Sequence, residues 1–196
     1  MQVGILALQG DIQAHERVLD QLGVRWREVR RPGELAGLAG LVLPGGESTT
    51  MWHFLREDGF DTALQDFGRA GGAFFGTCAG AILLAREVQN PPGPALGLLD
   101  ISVQRNGWGR QTMSRVETAM TDDPEAPIIE AVLIRAPRIL RCGPGVRVRA
   151  RLGDEPVWVE EGRAMATTFH PELSTELRVH RRFLELAALA PSFAPA

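Results

Sequence analysis

The sequence predicts an α/β fold, with a mostly parallel central sheet, helices on both faces and additional short antiparallel strands, from three observations. In the first half, short apolar runs alternate with amphipathic stretches, which is the order of a parallel sheet with crossover helices. Those runs are closed by glycine or proline, as in Leu43-Pro44-Gly45-Gly46. From Gly97 onward the amphipathic stretches give way to short β-like runs separated by turn residues.

Val3 to Leu8 reads as a first strand, ending at Gly10. Asp11 is placed to cap a helix whose apolar positions Ile12, Val18, Leu19 and Leu22 fall near one face, before Gly23 stops it. Val24 to Val29 is a second strand and Gly40 to Leu43 a third. A single helical stretch is expected from about Thr49 to Ala70, then a buried strand from Ala73 to Thr77. A helix starts after Cys78, and Asn90-Pro91-Pro92-Gly93-Pro94 is a loop. Strand-like runs follow at Leu98 to Val103, Val116 to Ala119, Ala131 to Ile134, Val146 to Ala150, Val157 to Glu161 and Ala164 to Phe169. A last amphipathic helix is expected from about Ser174 to Ala190. The organisation expected is a single domain over 1–190 with a frayed tail at 191–196.

At 196 residues the chain is long enough to bury roughly 70% of its unfolded surface. A net charge of −3 and a pI near 5.8 give no electrostatic footprint for nucleic acid or an anionic membrane. All 21 basic residues are arginine, a compositional bias without a functional reading. Two cysteines do not make a disulfide framework, so a reduced, cytoplasmic setting is expected. The first residues read as a strand, not a signal peptide, and no apolar run approaches the ~20 residues that span a bilayer.

Chemistry concentrates at predicted strand ends, where α/β sheets bind ligands. Gly76-Thr77-Cys78-Ala79-Gly80 sits between a strand and a helix, the nucleophile-elbow pattern with sulfur in place of oxygen. The turn lifts one side chain toward substrate, and glycines flank it where larger side chains would collide. A thiolate needs a base or positive end nearby. Of the four histidines, His15, His53 and His180 lie in helical patterns beside charged neighbours and read as solvated surface residues. His170 ends a strand, and Glu172 follows across Pro171, placed to accept its N–H and hold its tautomer. No metal site is expected: a zinc-deaminase reading of His170 and Glu172 needs a later cysteine pair, which is absent. Cys142 reads as a spectator. The Pro44-Gly45-Gly46 loop lacks the Gly-Lys-Ser/Thr of a phosphate loop and suits an oxyanion hole.

With these residues assembled, the sequence resembles the class I glutamine amidotransferases, whose triad is Cys, His, Glu in this chain order. Leu8-Gln9-Gly10, Pro44-Gly45-Gly46-Glu47-Ser48-Thr49-Thr50, Arg105-Asn106, Gly109-Arg110-Gln111 and Ile134-Arg135-Ala136-Pro137 narrow the resemblance to the glutaminase subunits of pyridoxal 5'-phosphate synthases. Gly107-Trp108 departs from the Ser-Phe common at that place. The resemblance implies a three-layer, flavodoxin-like class I glutamine amidotransferase fold. It also implies glutamine hydrolysis with Cys78 as nucleophile, His170 as acid and base, and Glu172 as its orienting partner. The oxyanion hole would come from Gly45, Gly46 and Ala79. L-Glutamine would be held by Gly46, Glu47, Ser48, Arg105, Ile134 and Arg135, without a cofactor. The implied partner is a separate synthase subunit, in a dodecameric barrel-protein core decorated by glutaminases, with Gln9 and Gly10 at the interface. Three other readings stay open at this point. One is the glutaminase of another amidotransferase, such as imidazole glycerol phosphate synthase. The others are a related cysteine hydrolase and a flavodoxin-like binding module with an inert Cys78.

Overall fold

A computed structural model describes residues 1–107 and 114–189. The expected frayed tail and the Gly109-Arg110-Gln111 segment lie outside the described residues, as does Trp108. The first half runs β1 (Gln2–Leu6), α1 (Ile12–Gln21), β2 (Arg25–Val29), β3 (Gly40–Leu43), α2 (Ser48–Glu57), α3 (Phe60–Arg69), β4 (Ala73–Thr77) and α4 (Ala79–Leu84). The second half runs β5 (Ala85–Gln89), β6 (Leu99–Gln104), β7 (Arg115–Thr121), β8 (Ile128–Leu133), β9 (Arg138–Cys142), β10 (Arg147–Leu152), β11 (Glu155–Glu161) and β12 (Ala164–Thr167), closing on α5 (Arg178–Ala188).

The main sheet has the order β2-β1-β3-β4-β12-β11-β10-β7-β8. Pairing is parallel from β2 through β12 and antiparallel from β12 to β8. β5, β6 and β9 form a second, three-stranded sheet. β3, β4 and β12 are buried along their whole length, because helices cover both faces of the parallel half. On one face the core takes Met51, Leu55, Phe60, Leu64 and Phe67 from α2 and α3. On the other it takes Leu19 from α1 and Val179, Phe183 and Ala187 from α5. The outcome is the three-layer arrangement, with the C-terminal ends of β1, β3, β4 and β12 opening on one edge. Among the described residues no helix is long and apolar enough to cross a membrane.

Two helix boundaries and two strands differ from the sequence reading. The helical stretch from Thr49 to Ala70 is two helices, divided at Gly59, whose φ of 72° lies in the left-handed region that glycine enters without strain. The last helix begins at Arg178, not Ser174. Residues Pro171–Leu173 form a 3₁₀ turn, and the Ser174 hydroxyl accepts from the Glu176 N–H at 3.1 Å. β5 was not expected, since it leaves α4 with no intervening turn residue, nor was β9, whose apolar pair Ile139-Leu140 is framed by arginines that mask the period.

Candidate active site

β4 runs directly into Cys78, which adopts φ 48°, ψ −100° at the start of α4. A non-glycine residue in that region stores roughly 1–3 kcal/mol of strain and persists only where its surroundings enforce it. Here three backbone segments do so. A Cβ on Gly76 would stand 2.5 Å from the Gly80 carbonyl carbon, and one on Gly80 would stand 2.0 Å from the Leu43 oxygen. The Cys78 N–H donates to the Thr167 carbonyl at 2.9 Å, tying the elbow to β12. Glycine is therefore required on both sides of the thiol by close backbone approach. Gly80→Ala is expected to lower the unfolding free energy by about 3 kcal/mol. Denaturant titration reads this, and an unchanged midpoint would contradict the crowding.

His170 follows β12, its N–H donating to the Val132 carbonyl at 2.9 Å. Pro171 starts the 3₁₀ turn that folds Glu172 back, so that His170 Nδ1 and Glu172 Oε1 lie 2.8 Å apart. This pairing leaves Nε2 as the ring's second functional atom. Gly45 packs against the ring: a Cβ there would stand 2.3 Å from His170 Cε1. Burial disfavours an imidazolium at His170, but the neighbouring Cys78 sulfur and Glu172 carboxylate override it and push the group up to about 10. Burial likewise opposes ionisation of Glu172, yet His15 and His170 hold its carboxyl down to about 2. The pair is ionic at neutral pH. The Cys78 thiol donates to the Ile134 carbonyl at 3.7 Å. A protonated imidazole beside the sulfur is the setting that favours thiolate attack.

A cavity of about 560 Å³ opens on this edge, with Cys78, Ala79 and His170 in its wall. Gln9, Gly10, Gly46, Glu47, Ser48, Arg105, Ile134 and Arg135 line it as well. Gly45 and Glu172 stand behind His170, one against its ring and one on its Nδ1. The Glu47 carboxylate caps α2, accepting from the Thr49 and Thr50 N–H groups at 3.1 and 2.7 Å. Burial works against the charge there, and these donors more than offset it, keeping the carboxyl below its usual range. Arg105 donates to the Thr49 hydroxyl at 3.2 Å, and its guanidinium lies over Gly93. Gln9 Oε1 accepts from the Glu47 N–H at 2.9 Å, and the Asp11 N–H donates to the Gly45 carbonyl at 3.0 Å. Gly10 has φ 116° and leaves room for that carbonyl. The two residues expected at a partner interface thus also brace the glycine loop.

The sequence reading missed other groups. Asp11 starts α1 but makes no side-chain cap bond; its Oδ2 lies 3.7 Å from His170 Nδ1. His15 and His180, read as surface residues, are fully buried, whereas His53 is exposed beside Glu57. The correction follows from helical periodicity. His15 shares the inward face of α1 with Val18 and Leu19, and His180 that of α5 with Phe183 and Ala187. The adjacent Glu16-Arg17 and Arg181-Arg182 occupy the outer faces and obscured the signal. Cys142, half-buried, ends β9 in the second sheet and is not in the cavity wall. Among the described residues the one group spaced to hold a metal ion is Asp11, His170 and Glu172, with ligand atoms within 4.8 Å of one another. Its central atom, His170 Nδ1, is already bonded to Glu172.

A strained cysteine on an elbow, a histidine held by a glutamate and an adjoining glycine loop make up the chemistry of amide hydrolysis through a thioester. Residues 5–188 match the model of the SNO glutamine amidotransferase family. The chain is 55% identical over 192 residues to pyridoxal 5'-phosphate synthase subunit PdxT of Deinococcus radiodurans, covering 95% of this chain and 97% of that protein. It is 49% identical to the protein of the same name from Thermus thermophilus, over 95% of this chain and 98% of that one. A crystal structure of a glutamine amidotransferase superposes with a TM-score of 0.89 at 46% identity, covering 95% of this chain and 99% of the other. A chain of the PurLQS structure from Thermotoga maritima, at 14% identity and a TM-score of 0.72 over 94% and 97% of the two chains, shares the fold. The chain belongs to the SNO glutamine amidotransferase family.

Proposed function

We propose that this chain is the glutaminase subunit of a pyridoxal 5'-phosphate synthase, hydrolysing L-glutamine to L-glutamate and ammonia for a separate synthase subunit. The observation that carries the chemistry is Cys78 and His170 together in one cavity wall, with Glu172 behind on His170 Nδ1. The name shared by the relatives supports the pathway. Cys78 Sγ attacks the carboxamide carbon of glutamine. The Ala79 N–H and an N–H of the Gly45-Gly46 loop stabilise the oxyanion. His170 gives its Nε2 proton to the departing ammonia, leaving a γ-glutamyl thioester. His170 then takes a proton from water onto Nε2 as the resulting hydroxide attacks the thioester, releasing glutamate and leaving sulfur as thiolate beside the imidazolium, the state from which the cycle began. Glu172 holds Nδ1 throughout. Arg105 is suited to the substrate's α-carboxylate, since its planar fork binds both oxygens. Gly46, Glu47, Ser48, Ile134 and Arg135 enclose the rest of the substrate.

At neutral pH free ammonia is mostly ammonium, so delivery requires a partner that receives it away from water. The partner is the barrel-shaped synthase, in a dodecameric core carrying glutaminases on its outside. Gln9 and Gly10 form part of the docking edge. They brace the glycine loop, so docking acts directly on the oxyanion hole, and hydrolysis by the isolated chain is slow. The complex works in the cytoplasm, in keeping with two free thiols. An electrophilic glutamine analogue tests the site. A single adduct on Cys78, formed faster with synthase present, is the expected mass-spectrometric result. An adduct on another residue, or none with synthase present, would contradict it.

A further inference from the structure

Behind Glu172 lies a line of buried polar groups that the proposed mechanism does not use. His15 Nε2 stands 3.5 Å from Glu172 Oε1 and 3.3 Å from Thr77 Oγ1, and His15 Nδ1 stands 3.0 Å from His180 Nε2. The Thr77 hydroxyl reaches the same Glu172 oxygen at 3.3 Å. Both imidazoles are fully buried, each perpendicular to the Phe75 ring, in a layer where polar groups without a partner are costly. We propose that His15 and His180 extend the catalytic line inward as two neutral histidines in series, with His15 a positioning residue that holds the Glu172 carboxylate through its Nε2–H. This rests on the glutaminase reading above and deepens it.

The hydrogen-bond inventory fixes the direction. His180 Nδ1 is buried and has no partner among the described residues. A buried N–H left without an acceptor is rarer than a lone pair left without a donor. The His180 proton therefore sits on Nε2 and is donated to His15 Nδ1. His15 must then carry its own proton on Nε2, directed at Thr77 Oγ1 and Glu172 Oε1. The opposite tautomer would aim a lone pair at a carboxylate. Thr77 donates its hydroxyl proton to Oε1, and His170 donates Nδ1–H to the same atom. Three donors, on His15, Thr77 and His170, thus converge on Oε1 of one buried anion, and His180 donates to His15 behind them. The titratable groups facing His15 are Glu172, His170, Asp11 and His180, and those facing His180 are His15 and Glu172. Burial, the largest influence on both, keeps them neutral, with His180 pushed down to about 3.

Two measurements test this. In the wild-type chain, ¹⁵N NMR of the imidazoles is expected to show neutral Nε2–H tautomers for His15 and His180 from pH 6 to 9. In complex with synthase, His15→Leu is expected to lower kcat by about 10- to 100-fold. KM for glutamine should stay within about twofold, since His15 is outside the cavity wall. The acidic limb of the kcat profile should move to higher pH, because a carboxylate with fewer donors protonates more readily. His15→Gln places an amide N–H near the lost Nε2–H and should recover most of the rate. An Nδ1–H tautomer at His15 overturns the line, whatever the activity. So does a His15→Leu loss that merely follows the folded fraction with an unshifted pH profile, or a glutamine variant no better than leucine. If the wild type releases no glutamate with synthase present, the glutaminase reading fails and the catalytic role of His15 with it.

Discussion

Cys78→Ala is expected to abolish glutamate release, with a loss on the order of 10⁵-fold or more in kcat, because among the described residues no other thiol lines the cavity to carry the covalent route. The remaining thiol, on Cys142, belongs to another sheet. The substitution should leave the fold intact. The elbow is set by Gly76, Gly80 and the Cys78 N–H bond to Thr167, none of which involves the side chain. Glutamine should still bind, since the Arg105 and glycine-loop walls are unchanged. Stability within about 1 kcal/mol of wild type is the expected companion result. A residual rate near one hundredth of wild type would mean that the cavity works without its nucleophile, contrary to the mechanism.

Glu172→Gln should damage both activity and stability. Amide for carboxylate removes the anion that holds the His170 tautomer and supports its charge, so kcat is expected to fall about 10²- to 10⁴-fold. The stability effect has a defined pH window. The folded-state carboxyl is held down to about 2 from 4.5, so its contribution is present above 4.5 and is lost as the pH falls toward 2. The His170 group is raised from 6.5 to about 10, so its contribution is present below 6.5 and is lost as the pH rises through 10. The wild type should therefore be favoured most between about pH 4.5 and 6.5, by on the order of 3 kcal/mol. The advantage should narrow on both sides. Denaturant titrations of both proteins across this range test it. A difference that does not vary with pH would contradict an ionic pair.

Much of this site was legible in the sequence, for identifiable reasons. A nucleophile elbow needs two glycines at fixed spacing because backbone crowds it from both sides, and that requirement is written locally in Gly76 to Gly80. His170 and Glu172 are legible because a proline between them fixes the turn and the preceding apolar run marks a strand end. The parallel half of the sheet shows through its buried runs. What stayed hidden was non-local. No local pattern says that β11, β10, β7 and β8 continue the sheet from β12, since the order of antiparallel strands is set by packing between distant segments. His15 and His180 were misread because adjacent charges outweighed a helical spacing that, weighed alone, points both inward. Gly59 carried the signal for the break between α2 and α3, and it was overridden by the length of the amphipathic pattern.

The central claim is that this chain is a glutaminase whose product feeds a synthase. The most direct measurement is glutamate release from L-glutamine, with and without a pyridoxal 5'-phosphate synthase subunit, with pyridoxal phosphate formation followed in the same vessel. Slow release by the chain alone is expected, with strong stimulation by the synthase and pyridoxal phosphate formed from glutamine nitrogen only when both proteins are present. Equal glutamate release with and without synthase, or none in either case, would contradict the account.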